Sequence, residues 1–290
     1  MRELINIKLL IKNAYFCEMT LLKLIFNFYI NASIHVAFSV YSLVRITEFY
    51  FDIPHDENLG YFIFYATITG YNFIKYAGVA KFYHMSLTKS MRSIQIFSFI
   101  SFCMLIYYSF KLSIKSLSYF IPFGVITIFY VVPFLGGFQR NLRKVSYLKI
   151  FIVSFVWSGV TTIIPLLLNK NQEVCIFILL FLQRMLFILV LILPFEIRDM
   201  RLDFEHIKTL PQKIGIKYTK KLGFIFLLFS LVIEFLLTKS YTNKSIFLGI
   251  CLLLLFLVMR SKQNQSKFYS SFWVESLPIL WLILLMILSK

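Results

Sequence analysis

A short, strongly charged stretch, FEIRDMRLDFEHIKTLPQKIG, interrupts the apolar second half of this chain from Phe195 to Gly215. Asp199 and Asp203 are four residues apart, so on a helix their side chains would lie on one face, about 6 Å apart at Cβ. Two such carboxylates suit Mg²⁺, which usually binds one or two carboxylates together with substrate phosphates. The cations beside them, which can bind phosphate oxygens, are Arg198, Arg201 and Lys208. The stretch therefore predicts a site for a substrate that carries a diphosphate group.

The composition of the chain excludes a soluble globular protein. Of its 290 residues, 59% are apolar and 19% aromatic, and the mean hydropathy is +0.80, whereas soluble domains contain about 45 to 50% apolar residues. We therefore expect an integral membrane protein. The cysteines are scattered without a C-x-x-C spacing, so we interpret them as packing residues rather than as a disulfide framework or a metal site. They are Cys17, Cys103, Cys175 and Cys251.

Apolar runs of the length needed to cross a bilayer recur along the whole chain. One crossing needs about 20 mostly apolar residues. Nine approximate segments fit: 22–44, 59–80, 92–110, 117–137, 147–168, 174–195, 222–238, 244–259 and 272–289. No soluble domain fits between them. The sequence thus predicts a cytoplasmic N-terminal segment over residues 1–21 and a single polytopic membrane domain over residues 22–290.

The positive charges alternate with these segments. Lys and Arg accumulate in the cytoplasmic loops of membrane proteins. When the connections are assigned to alternating sides, 22 of the 30 Lys and Arg fall on the side of the N-terminus and seven on the other. We therefore predict a protein of the cell (inner) membrane with a cytoplasmic N-terminus and a cytoplasmic Asp199 stretch. This placement accounts for the net charge of +17 without a nucleic-acid partner.

The charged stretch resembles a known sequence motif. Its RDMRLDFEHIKTLPQKIG portion is similar to the second aspartate motif of the UbiA superfamily of intramembrane prenyltransferases, in which Arg-Asp is followed by a second Asp, by Lys-Thr-Leu-Pro and by a Gly. The positions that fit in order are Asp199, Asp203, Lys208, Thr209, Leu210, Pro211 and Gly215. The alternative interpretation is a solvated charged loop between two membrane helices.

The resemblance implies a fold and a reaction. The expected fold is an all-α membrane protein with nine transmembrane helices around a central cavity that opens toward the cytoplasm. The expected reaction transfers a prenyl group from a prenyl diphosphate to an aromatic or other lipophilic acceptor, with Mg²⁺ held by Asp199 and Asp203. This chemistry needs charge neutralisation at the leaving diphosphate and a dry cavity around the carbocation.

The first aspartate motif of the superfamily, N-D-x-x-D-x-x-x-D, is degenerate in this chain. In the corresponding stretch, TGYNFIKYAGVAKFYHMS, Asn72 matches the leading Asn. The three aspartate positions are occupied instead by Phe73, Tyr76 and Ala80. Lys75 and Lys81 lie nearby. One interpretation is that their charges replace the lost metal as direct contacts of the diphosphate; the other is that they are ordinary flanking charges at the cytoplasmic side.

The connection between the fourth and fifth segments is basic, and it also resembles the superfamily. The matching positions are Tyr130, Arg140, Arg143 and Lys144. The resemblance implies a cytoplasmic basic rim that helps to hold the diphosphate, and Arg140 is our candidate contact there. The alternative is that these basic residues only determine the orientation of the chain in the membrane.

Four polar residues that need partners fall inside the apolar segments. Arg184 is costly at the centre of a membrane helix, by about 2.5 to 3.5 kcal/mol, so it needs a protein or water partner. We favour a buried structural pair with Glu234 over a substrate contact. For His35 and Glu275 we expect interhelical hydrogen bonds.

We interpret the chain as a UbiA-like intramembrane prenyltransferase that depends on Mg²⁺. The candidate diphosphate contacts are Arg198, Lys208, Asn72, Lys75, Lys81 and Arg140. The alternative is a catalytically inactive UbiA-like membrane protein that binds an isoprenoid or a lipid, or that supports a partner complex. The sequence determines neither the acceptor nor the prenyl chain length nor the oligomeric state.

Overall fold

The computed structural model describes residues 21–80, 89–131, 148–168, 173–200 and 209–288, and within these ranges it contains helices and no strand. In chain order the helices are α1 (Leu21–Asn31), α2 (Ile34–Tyr50), α3 (Glu57–Ala80), α4 (Lys89–Lys111), α5 (Ile114–Val131), α6 (Leu148–Ser158), α7 (Ile164–Leu168), α8 (Val174–Asp199), α9 (Leu210–Ile214), α10 (Ile216–Leu237), α11 (Tyr241–Arg260) and α12 (Leu277–Leu288). A π-helical turn, Gly159–Ile163, joins α6 to α7, and a second, Tyr269–Val274, precedes α12.

The described helices are those of a multi-pass membrane protein. Six helical segments are long and apolar enough to cross a bilayer, and α1 and α2 together would make a seventh. Helices α3 and α10 coincide with the predicted segments 59–80 and 222–238 but are more polar. In α10 the reason is Lys220, Lys221 and Glu234, and α3 is rich in Tyr, Asn and Gly. Nine crossings therefore remain a prediction.

The first predicted span is broken. Helices α1 and α2 meet at an angle of 54°, and Ser33 between them has a positive φ of 63°. Two side chains of α3 donate hydrogen bonds to carbonyls at this break. Asn72 Nδ2 donates to Ala32 O (3.1 Å), and Tyr76 OH donates to Asn31 O (3.0 Å). Irregular backbone at membrane depth is tolerated where its polar groups are satisfied within the protein.

Helix α8 lies at the centre of the bundle. It packs against α6, α10 and α11. The ring of Phe187 in α8 contacts Phe247 of α11 and Trp281 of α12, and all three side chains are fully buried. Because most of α8 is surrounded by other helices, the end of α8 that carries Asp199 is held firmly within the molecule.

The two π turns free carbonyl groups that neighbouring helices use. Thr47 Oγ1 of α2 donates to Thr161 O in the first turn (2.7 Å). His35 Nε2 lies 3.1 Å from Phe272 O in the second turn. Isolated π turns of this kind often occur at functional sites. In this chain, the second turn borders a cavity.

Candidate active-site cavity

A cavity of about 300 Å³ lies inside the bundle. Helices α1, α2, α3, α5, α6 and α8 enclose it together with the second π turn. One part of its wall is aromatic and is formed by Tyr71, Tyr130, Trp157 and Phe195. The other part is charged and is formed by Lys75, Lys149, Glu196, Arg198, Asp199 and Glu275. The combination of an apolar chamber with charged groups on one wall suits an amphipathic ligand.

Asp199 occupies the last position of α8 and is oriented by its neighbour. Arg198 Nε donates to Asp199 Oδ1 (2.7 Å), and Arg198 Nη2 donates to Asp199 Oδ2 (3.3 Å). Arg198 Nη1 in turn donates to Ser270 Oγ (2.8 Å) in the second π turn. The acid and its arginine therefore form one hydrogen-bonded unit at the cavity wall, which α8 and the π turn position together.

Several glutamines hold this end of α8 in place. Gln212 Nε2 donates to Met200 O (2.8 Å), which is exposed at the end of the helix. Gln265 Nε2 donates to Pro194 O (2.7 Å). Met200 is the C-cap of α8, where carbonyls lack intrahelical donors and side chains can supply them. The backbone around Asp199 is thereby fixed from two other parts of the chain.

Part of the motif has a structural explanation. Thr209 is the N-cap of α9, and its backbone N–H donates to Gln212 Oε1 (2.7 Å). Pro211 lies in the first turn, where its missing N–H costs nothing. Gly215 has φ of 81° and joins α9 to α10, a conformation that glycine adopts readily. These motif residues shape the chain after the Asp199 stretch and do not line the cavity among the residues described.

The predicted metal pair is only half within the structure, because Asp203 lies outside the described residues. Across the described ranges, no group of three His, Cys, Asp or Glu side chains is placed to hold a metal ion. Asp199 supplies hard oxygen ligands of the kind that Mg²⁺ prefers, although both oxygens accept hydrogen bonds from Arg198. One carboxylate plus substrate phosphates is a recognised way to bind Mg²⁺, so the donor chemistry of Asp199 fits the ion.

Lys75 reaches the same cavity from α3. Its ammonium donates to Ser33 Oγ at the α1–α2 break (2.8 Å), and Glu275 and Arg198 interact with it electrostatically. Lys75 therefore reaches toward the α1–α2 break and lines the cavity, where its side chain remains exposed. The structure places three of the predicted site residues at one cavity: Lys75, Arg198 and Asp199.

Asn72 has a different place. Its Oδ1 accepts from Ser33 Oγ (2.7 Å), and its Nδ2 donates to Ala32 O (3.1 Å) and to Ser98 Oγ (2.8 Å). Both ends of the amide are used to hold the helix break, and the residue is absent from the lining of the cavity that contains Asp199. The other predicted contacts, Lys81, Arg140 and Lys208, lie outside the described residues, as do Arg143 and Lys144.

Comparison with known proteins adds information about the fold. No family model and no curated protein matches the sequence. A solved structure concerned with digeranylgeranylglyceryl phosphate synthase in membranes matches with a TM-score of 0.53 and 15% sequence identity, over 90% of this chain and 98% of that chain. The likeness is one of fold. It supports the expected all-helical membrane architecture.

Two charged residues of the cavity, Lys149 and Glu275, were not predicted as site residues from the sequence. Lys149 appeared only as a topological charge, yet its Nζ forms an ion pair with Glu196 Oε1 (2.8 Å) at the cavity wall. Glu275 was expected to form an interhelical hydrogen bond. Instead its carboxylate lines the cavity, where Lys75 and Arg198 act on it electrostatically, and no described residue donates a hydrogen bond to it. An acid in an otherwise apolar final span was the available signal.

The charges on the described wall of the cavity balance. The cations are Lys75, Lys149 and Arg198, and the acids are Glu196, Asp199 and Glu275. A diphosphate carries several negative charges, so its binding requires additional positive charge, from a metal ion or from bases elsewhere in the chain. The balance thus argues that a diphosphate would bind together with a cation.

Arg184 lies away from this cavity in a buried polar cluster. It is fully buried, Nη1 donates to Leu43 O (3.0 Å), and its guanidinium stacks over Trp281 at 4.9 Å. Glu234 instead accepts from Tyr50 OH (2.8 Å) and from Gln183 Nε2 (2.9 Å). A direct ion pair between Arg184 and Glu234 does not occur, because each has its own hydrogen-bond partners. The predicted counter-ion Glu234 therefore lies in the same buried cluster and acts on Arg184 electrostatically, without a direct ion pair.

His35 behaves as predicted. Its Nδ1 lies 2.8 Å from Tyr29 OH, and its Nε2 lies 3.1 Å from both Phe272 O and Ser276 Oγ. The interhelical hydrogen bond expected for His35 is confirmed. It links the α1–α2 break to the second π turn, and so connects two of the elements that enclose the cavity.

Proposed function

We propose that this protein transfers a prenyl group from a prenyl diphosphate to an aromatic or other lipophilic acceptor inside the membrane. One observation carries the proposal: Asp199, Arg198 and Lys75 line a cavity whose apolar wall is aliphatic and aromatic, within a membrane fold similar to that of a solved synthase. The full arrangement comprises nine membrane crossings, a cytoplasmic N-terminus and a cavity that opens to the cytoplasm.

The chemistry requires two different environments in one chamber. The C–O bond of the allylic diphosphate breaks, its electron pair leaves with the diphosphate, and an allylic carbocation remains. The acceptor then bonds to the carbocation and loses a proton, which the released diphosphate can take up. The charged wall neutralises the leaving group. The rings of Tyr71, Tyr130 and Trp157 present aromatic faces that can stabilise a cation, and the buried position of the cavity keeps water from the carbocation.

The roles of individual residues follow from this division. Arg198 and Lys75 contact the diphosphate directly, and Lys208, Lys81 and Arg140 complete the set of proposed contacts, whereas Asn72 is used at the helix break. Asp199 and Asp203 hold Mg²⁺, which supplies positive charge to the diphosphate oxygens when it is bound. Lys75 lies within the stretch that corresponds to the first aspartate motif, so its ammonium would supply part of the positive charge that a second ion would otherwise provide.

A second candidate function rests on the same geometry. The acids of the first aspartate motif are replaced by Phe73, Tyr76 and Ala80, and both Asp199 oxygens are bonded to Arg198. These features favour a non-catalytic member of this fold that binds an isoprenoid or a lipid, or that supports a partner complex. Such a protein would bind ligand in the cavity without turnover.

Release of inorganic pyrophosphate separates the two functions. The purified protein in lipid nanodiscs would be incubated with geranylgeranyl diphosphate, with Mg²⁺ or with EDTA. An enzyme should release pyrophosphate with Mg²⁺ and stop when EDTA is added, because the leaving diphosphate then lacks its cation. Release equal to that of empty nanodiscs in both conditions, together with measurable binding of geranylgeranyl diphosphate, would establish the non-catalytic function.

A further inference from the structure

A second concavity lies outside the central cavity, between α3, α4 and α5. Its volume is about 530 Å³, and its lining is almost entirely apolar, which places it within the range of known ligand pockets, about 300 to 1,000 Å³. The rings that line it include Phe73 of α3 and Phe99 and Phe102 of α4. We name this concavity the α3–α5 groove.

The α3–α5 groove lies on the lipid side of the bundle. Helices α4 and α5 keep most of their side chains exposed, and Phe99, Phe102 and Ile128 are among them. Along α4 the groove extends from Ile94 to Phe102, a distance of about 12 Å at 1.5 Å per residue. An elongated apolar slot at membrane depth suits a hydrocarbon chain rather than a polar ligand.

The groove and the central cavity share one residue. Thr127 of α5 lines both of them. On α3, Tyr71, Ile74 and Lys75 face the central cavity, whereas Gly70 and Phe73 face the groove. Since α3 packs mainly on α2 and α4, and α5 packs mainly on α6, the two hollows adjoin at the side chain of Thr127.

We propose that the α3–α5 groove holds the isoprenoid tail of a diphosphate lipid whose head is bound beside Asp199 and Lys75. This inference rests on the proposed function. The tail leaves the central cavity past Thr127 and lies against the rings of Phe73, Phe99 and Phe102. An acyl chain of a bilayer lipid is the competing occupant, but such a chain enters from outside and has no need of a connection to the charged wall.

Gly70 allows the groove to be filled without disturbing the bundle. No atom lies within 4 Å of the position that a Cβ would take at Gly70, and the same holds for Gly249 on the exposed face of α11. Gly70→Leu therefore adds a side chain to the groove, and Gly249→Leu is the matched control. Both remove a helical glycine, so any general gain in helix stability is the same.

The measurement is the dissociation constant of two prenyl diphosphates for each variant in nanodiscs. For Gly70→Leu we expect the affinity for geranylgeranyl diphosphate to fall at least tenfold, while the affinity for the shorter geranyl diphosphate changes less than twofold. Gly249→Leu should change neither. If Gly70→Leu binds both ligands like the unmodified protein, the groove does not hold the tail. If the unmodified protein binds no prenyl diphosphate at all, the proposed function itself fails, and the inference fails with it.

A labelling experiment on the unmodified protein avoids any effect of substitution. A geranylgeranyl diphosphate analogue with a photoreactive group at the end of its tail should form adducts within residues 94–102 or 127–131. Unlabelled geranylgeranyl diphosphate should also reduce the labelling of these residues by a phosphatidylcholine that carries a photoreactive acyl chain. Adducts confined to α10 or α11, or phosphatidylcholine labelling that is unaffected by geranylgeranyl diphosphate, would assign the groove to bilayer lipid.

Discussion

In the proposed mechanism, Arg198 binds two negatively charged groups. It holds Asp199 through two hydrogen bonds in the structure, and it would also contact the leaving diphosphate. A hydrogen bond to a charged group contributes about 1.5 to 3 kcal/mol. For Arg198→Gln we therefore expect kcat/KM for pyrophosphate release from geranylgeranyl diphosphate to fall by about ten- to a hundredfold.

The control for this substitution is Arg260→Gln, because Arg260 is an exposed arginine at the end of α11. It should leave kcat/KM within twofold of the unmodified protein. An Arg198→Gln variant that is folded and equally active would show that Arg198 only orients the helix end and takes no part in binding the diphosphate.

A substitution at Lys75 tests whether its positive charge replaces part of the metal site that the degenerate first aspartate motif lacks. Lys75→Gln removes the positive charge but keeps a side chain that can donate to Ser33 Oγ. We expect the dissociation constant for prenyl diphosphate to rise by about tenfold or more, because one charge-assisted contact is lost. The measurement is direct binding in nanodiscs, with Lys111→Gln, at the end of α4 near Tyr107, as control. An unchanged dissociation constant would make Lys75 a structural partner of the helix break.

At the residue scale the sequence motif located Asp199 and Arg198 but not the whole wall. Lys149, Glu196 and Glu275 belong to the cavity because of how their helices are rotated and packed, and spacing along one helix does not determine that rotation. Asn72 shows the converse. Its position in the degenerate motif suggested a ligand contact, whereas in the structure its side-chain amide donates a hydrogen bond to the carbonyl of Ala32.

At the scale of elements, helices were predictable and their interruptions were not. The stretch around Ser33 contains neither Pro nor Gly, so nothing local predicts that α1 and α2 separate there. The break is stabilised from a distance, by Asn72 and Tyr76 of α3. The two π turns likewise depend on tertiary partners such as Thr47 and His35.

The first π turn depends on a missing side chain. A Cβ at Gly159 would lie 1.9 Å from Cε1 of Phe123, so the ring of Phe123 occupies space that only glycine leaves free. Gly159→Ala should therefore destabilise the protein by about 1 to 3 kcal/mol through overpacking. Thermal unfolding in detergent is the measurement, and Gly124→Ala on α5, which has open space around it, is the control.

A double variant identifies the cause of that effect. Phe123→Leu shortens the ring that blocks Gly159, so adding it to Gly159→Ala should restore part of the lost stability, as expected for two residues in contact. Simple additivity of the two losses would mean that Gly159 is required for its backbone and not for the space it leaves.

At the scale of the whole molecule, orientation in the membrane follows from charge. The prediction places residue 266, between α11 and the second π turn, on the cytoplasmic side and residue 56, before α3, on the opposite side. In a chain whose four cysteines are replaced by serine, a membrane-impermeant maleimide added to intact cells should label Asp56→Cys and not Ser266→Cys. The reverse pattern would invert the topology and place the Asp199 cavity on the other side of the membrane.

The architecture was largely readable from the sequence. Each of the nine predicted apolar segments contains a helix, because runs of about 20 apolar residues leave few alternatives in a bilayer. The resemblance implied a central cavity, but its full lining was not readable from the sequence, since it depends on how α3, α5, α6 and α8 pack against one another. Partial similarity to the structure of a membrane prenyltransferase supports this architecture and leaves the activity to experiment.

The most direct test of the account is pyrophosphate release by Asp199→Asn in the presence of Mg²⁺ and geranylgeranyl diphosphate. Loss of a preorganised charged group at the leaving group should reduce the rate by about a hundredfold or more, with thermal unfolding unchanged. The matched control is Asp52→Asn on the loop between α2 and α3, where Asn tolerates the positive φ of 49°. We predict loss of release in Asp199→Asn and none in Asp52→Asn; equal rates in both would contradict the proposed site.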